Sequence, residues 1–322
     1  MPKSLFSAGR TALFGIAPEE ARLDKRGFAA TTPDKQKCLE DAGKSFILGY
    51  LSALSSAEVN RAASECEKLS PALRGFAYEG SAMGLALIDL VSVGKPRLFR
   101  AFAEGPAQHH IYMVHVGTGW ALARCPWGML TFFPFLDPLL RWLAIDGLGF
   151  HEGFFHASKF IATCGTSRKR RKNSEAFDNG LGRAMWFASG ARAELATQTL
   201  AAFPKERQAA LWSGIGLAAT YAGGASSSEL QDLLSAAGEH RDEIALGAAF
   251  AAKARCRAGN LTDNANLACG VFCQMDATSA AAVTDRCLEA IGPHHHSGSY
   301  AQWRESIKKA FASRRANFAP RP

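Results

Sequence analysis

The stretch GLGFHEGFFHA, from Gly147 to Ala157, is the middle member of a pattern that recurs along the chain and decides the fold. RGFAYEGSAMG at residues 74–84 and SGIGLAATYAGG at residues 213–224 resemble it. A second element alternates with these three and reads VGTGWALAR at 116–124, NGLGRAMWF at 179–187 and LGAAFAAKAR at 246–255. Small residues spaced along a helix let a second helix approach closely. The pattern therefore predicts an all-α protein of stacked helical hairpins.

Six matched segments in alternation predict three degenerate repeat units of roughly 65 to 70 residues, each burying its apolar face against its neighbours. Chance resemblance among Ala- and Gly-rich helices is the alternative in a chain with 30 glycines. Residues 1–32 show no clear period and are predicted to form an N-terminal arm. Pro33 follows Thr32 in the pattern of a helix start. Residues 33–322 are therefore predicted to form a single helical-repeat domain.

The composition argues against several classes of protein. The formal charge of +8 is spread along the chain with one dense cluster, Arg168 to Lys172, and no basic stretch is interleaved with aromatic residues. No nucleic-acid partner is therefore expected. The apolar run from Gly128 to Trp142 is interrupted by prolines and charges, so no stable membrane insertion is expected. Without a disulfide framework or a signal peptide, a cytoplasmic protein is predicted, and a homo-oligomer is left open.

His151, Glu152 and His156 are the candidate catalytic residues of the central segment. In zinc proteases, two histidines four residues apart share a helix face. His151 and His156 are five apart, which on a regular helix separates them by about 140°, so such a site is not expected. Glu152 and His156 are four apart. We predict that Glu152 accepts the ring N–H of His156 and that they form a proton-transfer pair, with His156 as the proton carrier.

Further polar groups are predicted to support this pair, namely Tyr78, Glu79, His115 and His151. A metal site would require His115 and His156 to meet across neighbouring helices beside a glutamate. No single segment presents a complete pair of ligands, so a site without metal is favoured and no particular cofactor is indicated. The alternative for Glu79 and Glu152 is that they satisfy buried polar groups between helices.

Aromatic residues are dense near the central segment. Such rings are common in helix cores, but a cavity lined by them with a few acids and histidines can also hold a flexible hydrocarbon and stabilise developing positive charge. We therefore predict a hydrophobic pocket for an apolar small-molecule substrate, lined by Trp120, Trp142, Phe150, Phe154, Phe155 and Trp186. Nucleotide binding is not expected, because the paired glycines lack the preceding strand and the third glycine of a phosphate-binding loop.

Four motifs occur in the order GFAYEG, HVGTGWALAR, PLLRWLAIDGLGFHEGFFH and NGLGRAMWF. In this combination the chain resembles a bacterial domain-of-unknown-function family best known from enediyne polyketide biosynthetic clusters, over about residues 65–260. The resemblance implies a role in maturing a long, apolar, polyene-derived intermediate, and it implies no particular reaction. The matching positions are Tyr78, Glu79, His115, Trp120, Arg124, Trp142, Asp146, His151, Glu152, His156, Arg183 and Trp186.

Three functions are open at this point. The first is an enzyme of natural-product biosynthesis that rearranges or cyclises an apolar polyene or isoprenoid-like intermediate by proton transfer. The second is a non-enzymatic helical-repeat protein that carries such an intermediate or scaffolds partner enzymes. The third is a metal-dependent oxidase. An enclosed apolar cavity into which Glu152 and His156 point would support the first.

Overall fold

The computed structural model describes residues 2–92, 96–157 and 174–318. Within these residues every regular element is a helix, so the predicted all-α class is confirmed. The α-helices are α1 (Pro2–Phe14), α2 (Pro33–Ser56), α3 (Val59–Glu67), α4 (Pro71–Val91), α5 (Leu98–Glu104), α6 (Ile111–Arg124), α7 (Gly128–Thr131), α8 (Arg141–Phe155), α9 (Ser174–Ala188), α10 (Ala193–Ala201), α11 (Lys205–Tyr221), α12 (Ser227–Ala237), α13 (Arg241–Arg257), α14 (Asp263–Phe272), α15 (Ala277–Glu289) and α16 (Ser299–Phe318). They pack as one domain around a continuous apolar core.

Local sequence signals set the starts of several helices. α2 begins at Pro33, as predicted, because proline fixes the backbone angle of the first turn and loses no hydrogen bond there. α4 begins in the same way at Pro71. α12 begins with a capping box, in which the Ser226 hydroxyl accepts the backbone N–H of Glu229 at 3.4 Å and the Glu229 carboxylate accepts that of Ser226 at 3.0 Å.

Seven long helices of the described residues form a central row, in which each packs on the next. In order they are α2, α4, α6, α8, α9, α11 and α13. Shorter helices such as α3, α5, α10 and α12 lie in the connections between them. The long helices meet near their middles, where glycines set their spacing.

Glycines bring neighbouring helices of the central row into backbone contact. A Cβ atom at Gly180 in α9 would lie 1.8 Å from the carbonyl oxygen of Asp146 in α8. One at Gly149 in α8 would lie 2.0 Å from the carbonyl oxygen of Phe177 in α9. Only a residue without a side chain permits this approach. The same kind of contact recurs at every step of the row, through Gly49, Gly80, Gly117, Gly119, Gly147, Gly182, Gly214, Gly216 and Gly247.

These contacts recur with a shorter period than the predicted repeat unit. The glycines that face the preceding helix follow one another at intervals of 30 to 37 residues and are Gly80, Gly117, Gly147, Gly180, Gly214 and Gly247. Each period therefore contains one long helix of the central row and its connection to the next. The two alternating sequence elements occupy equivalent positions in successive helices. The three-unit hairpin repeat itself remains a prediction.

The central row is curved, so that distant members meet. Glu79 in α4 and Arg183 in α9 are three steps apart, and a straight row of helices about 8 Å apart would separate them by about 24 Å. The nearest oxygen and nitrogen of these side chains are instead 4.0 Å apart. Arg255 in α13 also donates a hydrogen bond to the backbone carbonyl of Ala72 in α4, at 2.9 Å. The inner faces of the row therefore enclose a common interior.

Residues 1–32, the predicted N-terminal arm, include α1 and a 3₁₀ turn at Pro18–Ala21. The backbone N–H of Leu23 donates a hydrogen bond to the Glu40 carboxylate in α2 at 3.2 Å. Four apolar side chains of this segment are buried, namely Ile16, Ala21, Leu23 and Phe28. The segment thus closes one side of the interior.

Gly180→Ala is expected to lower the free energy of unfolding by about 1 to 3 kcal/mol or more, because the added methyl group forces α8 and α9 apart. Gly270→Ala is the matched control, since Gly270 lies in α14 and a Cβ atom there meets nothing within 4 Å. The control is expected to be neutral or to stabilise by up to about 1 kcal/mol, as alanine replaces glycine in a helix. Urea denaturation measures both, and equal stabilities would contradict the close contact.

The structure bears on the predicted absence of a membrane-spanning helix, but it does not describe the basic cluster. Among the described helices, none is long and apolar enough to cross a membrane. The cluster from Arg168 to Lys172 lies outside the described residues, as does Cys164. The other seven cysteines are free thiols.

Candidate functional site

Glu79 in α4 points into the interior of the curved row and is 1% exposed. The indole N–H of Trp120 in α6 donates a hydrogen bond to its Oε1 at 3.1 Å. Nη2 of Arg183 lies 4.0 Å from its Oε2, beyond hydrogen-bond distance. Burial raises the pKa of Glu79 to about 7, and the charge of Asp146 adds to the rise while Arg183 and Trp120 oppose it. The carboxyl is therefore about half protonated at neutral pH.

A charged cluster lies beside Glu79 and is itself well paired. Arg183 donates a hydrogen bond to Oδ1 of Asp146, and Asn179 donates to Oδ2 at 2.5 Å. Arg304 in α16 lies close enough to donate to the Asn179 side-chain oxygen at 3.5 Å. Burial opposes the charge of Arg183, but the two carboxyl groups outweigh it and raise its pKa. The charges of Asp146 and Arg183 cancel, so Glu79 is the acid of this cluster that gains little from being ionised.

Glu79 lies in the wall of a small apolar cavity, which we name the aromatic chamber. The chamber has a volume of about 40 Å³. Its rings include Phe46, Trp120, Phe150, Phe154 and Phe155, and the N-terminal segment supplies further wall through Ile16, Glu20 and Ala21. The ring centroid of Trp120 lies 4.5 Å from that of Phe46 and 5.2 Å from that of Phe150. A titratable carboxyl group therefore faces packed aromatic rings.

His151, Glu152 and His156 lie at the end of α8 and do not line the aromatic chamber. The helix ends at Phe155, and His156 has left helical geometry with φ −127°, so the predicted shared helix face of Glu152 and His156 is not present. Oε1 of Glu152 lies 3.2 Å from Nδ1 of His151. The His151 ring packs edge-on against Trp120 at 5.4 Å, behind the chamber wall, while His156 is exposed. The catalytic roles predicted for these three residues stay predictions.

Tyr78 and His115 point away from the aromatic chamber. The Tyr78 hydroxyl donates a hydrogen bond to Glu67 at 2.8 Å, and its ring stacks on that of His110 at 4.1 Å. Burial raises the pKa of Tyr78. Nδ1 of His115 lies 2.9 Å from the carbonyl oxygen of Ile111 in its own helix, and burial lowers its pKa, which favours the neutral ring. The structure thus separates both residues from Glu79.

The predicted aromatic lining divides into two groups. Trp120, Phe150, Phe154 and Phe155 line the aromatic chamber together, and their role in ligand binding stays a prediction. Trp186 is fully buried elsewhere in the core, where its indole N–H donates to the carbonyl of Gly223 at 2.9 Å. Trp142 is half-buried against Phe133, at 6.2 Å between ring centroids, and does not line the chamber.

No group of three or more His, Cys, Asp or Glu side chains is placed to hold a metal ion in the part of the chain that the structure describes. The donors that a metal site would require to meet lie in different surroundings, with His115 facing Phe99 and Glu79 facing Trp120. What the arrangement offers is a buried acid beside aromatic rings.

A scan against protein-family models matches residues 5–311 to a family described as "Protein of unknown function (DUF1702)". The chain belongs to this family. The DUF1702 match extends at both ends beyond the predicted resemblance and takes in most of the N-terminal segment and the whole central row. No curated protein and no solved structure matches the chain. The family description names no reaction, so any function must be argued from the site.

In this DUF1702 protein, many interior residues stand at fixed sequence distances from the glycines that contact the preceding helix of the central row. The residue just before the glycine that faces the preceding helix is Glu79, Val116, Asp146, Asn179, Ser213 or Leu246. The residue three positions after that glycine is Met83, Trp120, Phe150, Arg183, Leu217 or Phe250. Nine of these twelve residues line a cavity in the interior of the row. Asp146 and Arg183 were named above only as positions that match the resembled family, and Asn179 was not named as a candidate. Their shared position relative to these glycines is the sequence signal that points to all three.

Proposed function

We propose that this protein is an enzyme that donates a proton to an apolar polyene or isoprenoid-like ligand held in the aromatic chamber, and so isomerises or cyclises it. The observation that carries the proposal is Glu79, a buried carboxyl group with a pKa of about 7 in the wall of a chamber of aromatic rings. A general acid works best when its pKa lies near the working pH. The proposal assigns the proton donor to Glu79 rather than to His156.

The proposed reaction begins with transfer of the Glu79 carboxyl proton to a terminal carbon of a carbon–carbon double bond. The π electrons form the new C–H bond and leave a carbocation on the other carbon, which is allylic where the double bond belongs to a conjugated polyene, and Glu79 becomes a carboxylate. The cation then loses a different proton to that carboxylate, which moves the double bond, or is first attacked by another double bond of the same molecule, which closes a ring. Each turnover returns the proton to Glu79, so no oxidant or reductant is consumed.

The surroundings of Glu79 suit both the charge that forms and the charge that is left behind. Aromatic rings attract cations, and the rings of Phe150 and Trp120 line the same chamber as the acid. Arg183 stabilises the Glu79 carboxylate from 4.0 Å without holding it ionised beforehand. Because Asp146 neutralises Arg183, the cluster adds little net charge to repel a carbocation.

The aromatic chamber must expand to take such a ligand, because pockets for molecules of drug size have volumes of about 300 to 1,000 Å³. The wall with the least regular structure is the N-terminal segment. Phe28 meets Phe154 edge-on at 5.1 Å, and the Arg26 guanidinium lies over the Phe155 ring at 5.1 Å. We infer that ligand access involves displacement of this segment, which side-chain hydrogen bonds hold to the row more than backbone–backbone hydrogen bonds do.

The resemblance to a family known from enediyne polyketide clusters supports a place for this reaction in bacterial natural-product biosynthesis. A polyene-derived intermediate is long, apolar and rich in double bonds, which are the properties that an acid in an aromatic chamber can use. The proposal therefore keeps the predicted substrate class and a cytoplasmic site of action.

Deuterium incorporation tests the proposal. The protein is incubated in D₂O buffer near neutral pH with geranylgeraniol or all-trans-retinol, and carbon-bound deuterium is measured by mass spectrometry. Glu79→Gln is expected to slow incorporation by about a hundredfold or more, because general acid catalysis contributes about 10² to 10⁴. Glu152→Gln is the matched control and is expected to retain the wild-type rate.

The outcomes separate the competing functions. Equal rates in wild type and Glu79→Gln would exclude Glu79 as the donor, and loss of exchange in Glu152→Gln alone would favour the Glu152–His156 pair. Binding of both probes without exchange in the wild type would favour the carrier function.

A further inference from the structure

A second chamber lies beside the aromatic chamber in the interior of the curved row. It also has a volume of about 40 Å³. Residues of α6, α8, α9, α11, α13 and α16 form its walls, and most of these are apolar, such as Val116, Leu217, Phe250 and Trp303. The proton transfer proposed above makes no use of this space.

One guanidinium group separates the two chambers. Arg183 lines the second chamber, yet its Cζ lies 4.6 Å from the ring centroid of Phe150, which lines the aromatic chamber. A second contact crosses the partition between Phe76 on the aromatic side and Tyr221 on the other, at 5.2 Å between ring centroids. The partition is therefore a single layer of side chains.

One wall residue of the second chamber, Tyr221, carries a hydroxyl that lies against Gly75 of α4 and that a bound molecule could satisfy. Tyr221 is 4% exposed, and its hydroxyl has no hydrogen-bond partner among the described residues. A buried hydroxyl without a partner is costly. The guanidinium of Arg255 lies over the Tyr221 ring, 4.0 Å from the centroid, and fixes the ring in place. A hydroxyl or carbonyl oxygen on a ligand in this chamber would pair with it.

We propose that the two chambers are the two halves of one binding site for an elongated polyunsaturated chain with an oxygen function at one end. The chain passes Arg183, its middle lies at Glu79, and its oxygen pairs with Tyr221. This inference rests on the proposed function, since it shares the aromatic chamber and Glu79 with it. Two small adjacent chambers suit an extended chain better than a compact ring system.

Filling the second chamber tests the inference. The probes are geranylgeraniol, a long isoprenoid alcohol, and myrcene, a short hydrocarbon that needs the aromatic chamber alone. Leu217→Trp from α11 is expected to weaken geranylgeraniol binding by about tenfold or more, because part of the chain loses its apolar burial, and to leave myrcene binding unchanged. Leu267→Trp is the matched control, since Leu267 is 40% exposed and lines neither chamber.

Two further variants keep the test decisive. Ala254→Phe fills the same chamber from α13 and replaces Leu217→Trp if that variant does not fold. Tyr221→Phe removes the hydroxyl and is expected to weaken geranylgeraniol binding severalfold without affecting myrcene. Equilibrium dialysis measures the alcohol and headspace partitioning measures myrcene.

The possible results are distinguishable. Wild-type affinity for geranylgeraniol in both filled variants would overturn the two-chamber site and leave the proposed function in place. Failure of the wild-type protein to bind either probe would overturn both. Selective loss of the long alcohol in the filled variants is the result that we expect.

Discussion

Arg183→Met is expected to lower the free energy of unfolding by about 3 to 5 kcal/mol, because it leaves the buried charge of Asp146 without its cation. Asp146 is 1% exposed and has one other described donor, Asn179. Because methionine fills part of the volume of the arginine side chain, the decrease in the free energy of unfolding reflects the lost charge more than lost packing. A buried ion pair adds little net stability as a whole, but breaking it from one side is strongly destabilising.

Two controls isolate this effect. Arg100→Met removes an exposed partner of Glu104 and is expected to leave the stability nearly unchanged, because solvent screens an exposed ion pair. The double variant Arg183→Met with Asp146→Asn is expected to recover much of the loss, because no charge is then left buried alone. Urea denaturation at neutral pH measures all three. A loss below about 1 kcal/mol for Arg183→Met would show that Asp146 is not a buried carboxylate that depends on Arg183.

The second large effect is a dependence of stability on pH that belongs to Glu79. Its pKa is raised from 4.5 to about 7 in the folded protein, so between these pH values the folded state holds a proton that the unfolded chain has released. The contribution of this bound proton to the free energy of unfolding is fully present below about pH 4.5 and is lost as the pH rises through about 7. At about 1.4 kcal/mol per pH unit, it amounts to about 3 kcal/mol.

Glu79→Gln removes this dependence and keeps a neutral side chain of the same shape, which can still accept the hydrogen bond of Trp120. The free energy of unfolding of the wild type, minus that of the variant, is expected to fall by about 3 kcal/mol between pH 4 and 8. The difference cancels other titrating groups and is measured by urea denaturation at a series of pH values. Parallel curves for the two proteins would mean that Glu79 titrates alike in the folded and unfolded states.

The fold class could be predicted from the sequence because small residues repeat with helical spacing. The glycines that set the close contacts stand in the matched segments themselves, as Gly147 and Gly180 show. The shorter period of the contacts was not predicted, because the two alternating elements differ in their other residues. The curvature of the row, which brings α4 to α9, depends on packing that no local pattern contains.

The candidate site could be predicted only in part. Trp120, Phe150, Phe154 and Phe155 line one chamber, but neighbouring residues of a helix face different surroundings, so Tyr78 does not accompany Glu79. The spacing of Glu152 and His156 implies a shared face only while the helix continues, and α8 ends between them at Phe155.

The remaining interior residues come from distant parts of the chain. Arg304 reaches Asn179 from α16 and stands in no motif, so sequence patterns alone gave no reason to place it there. Tyr221 belongs to a matched segment, but its position beside Phe76 depends on how the row curves.

The most direct test of Glu79 as a buried acid is an infrared difference titration of wild type against Glu79→Gln. We expect a carboxylic acid C=O band that is present in the wild type, absent from the variant, and lost with a midpoint near pH 7. Absence of such a band, or its loss below pH 5, would show that Glu79 is an ordinary carboxylate and would remove the proton donor on which the proposed function depends.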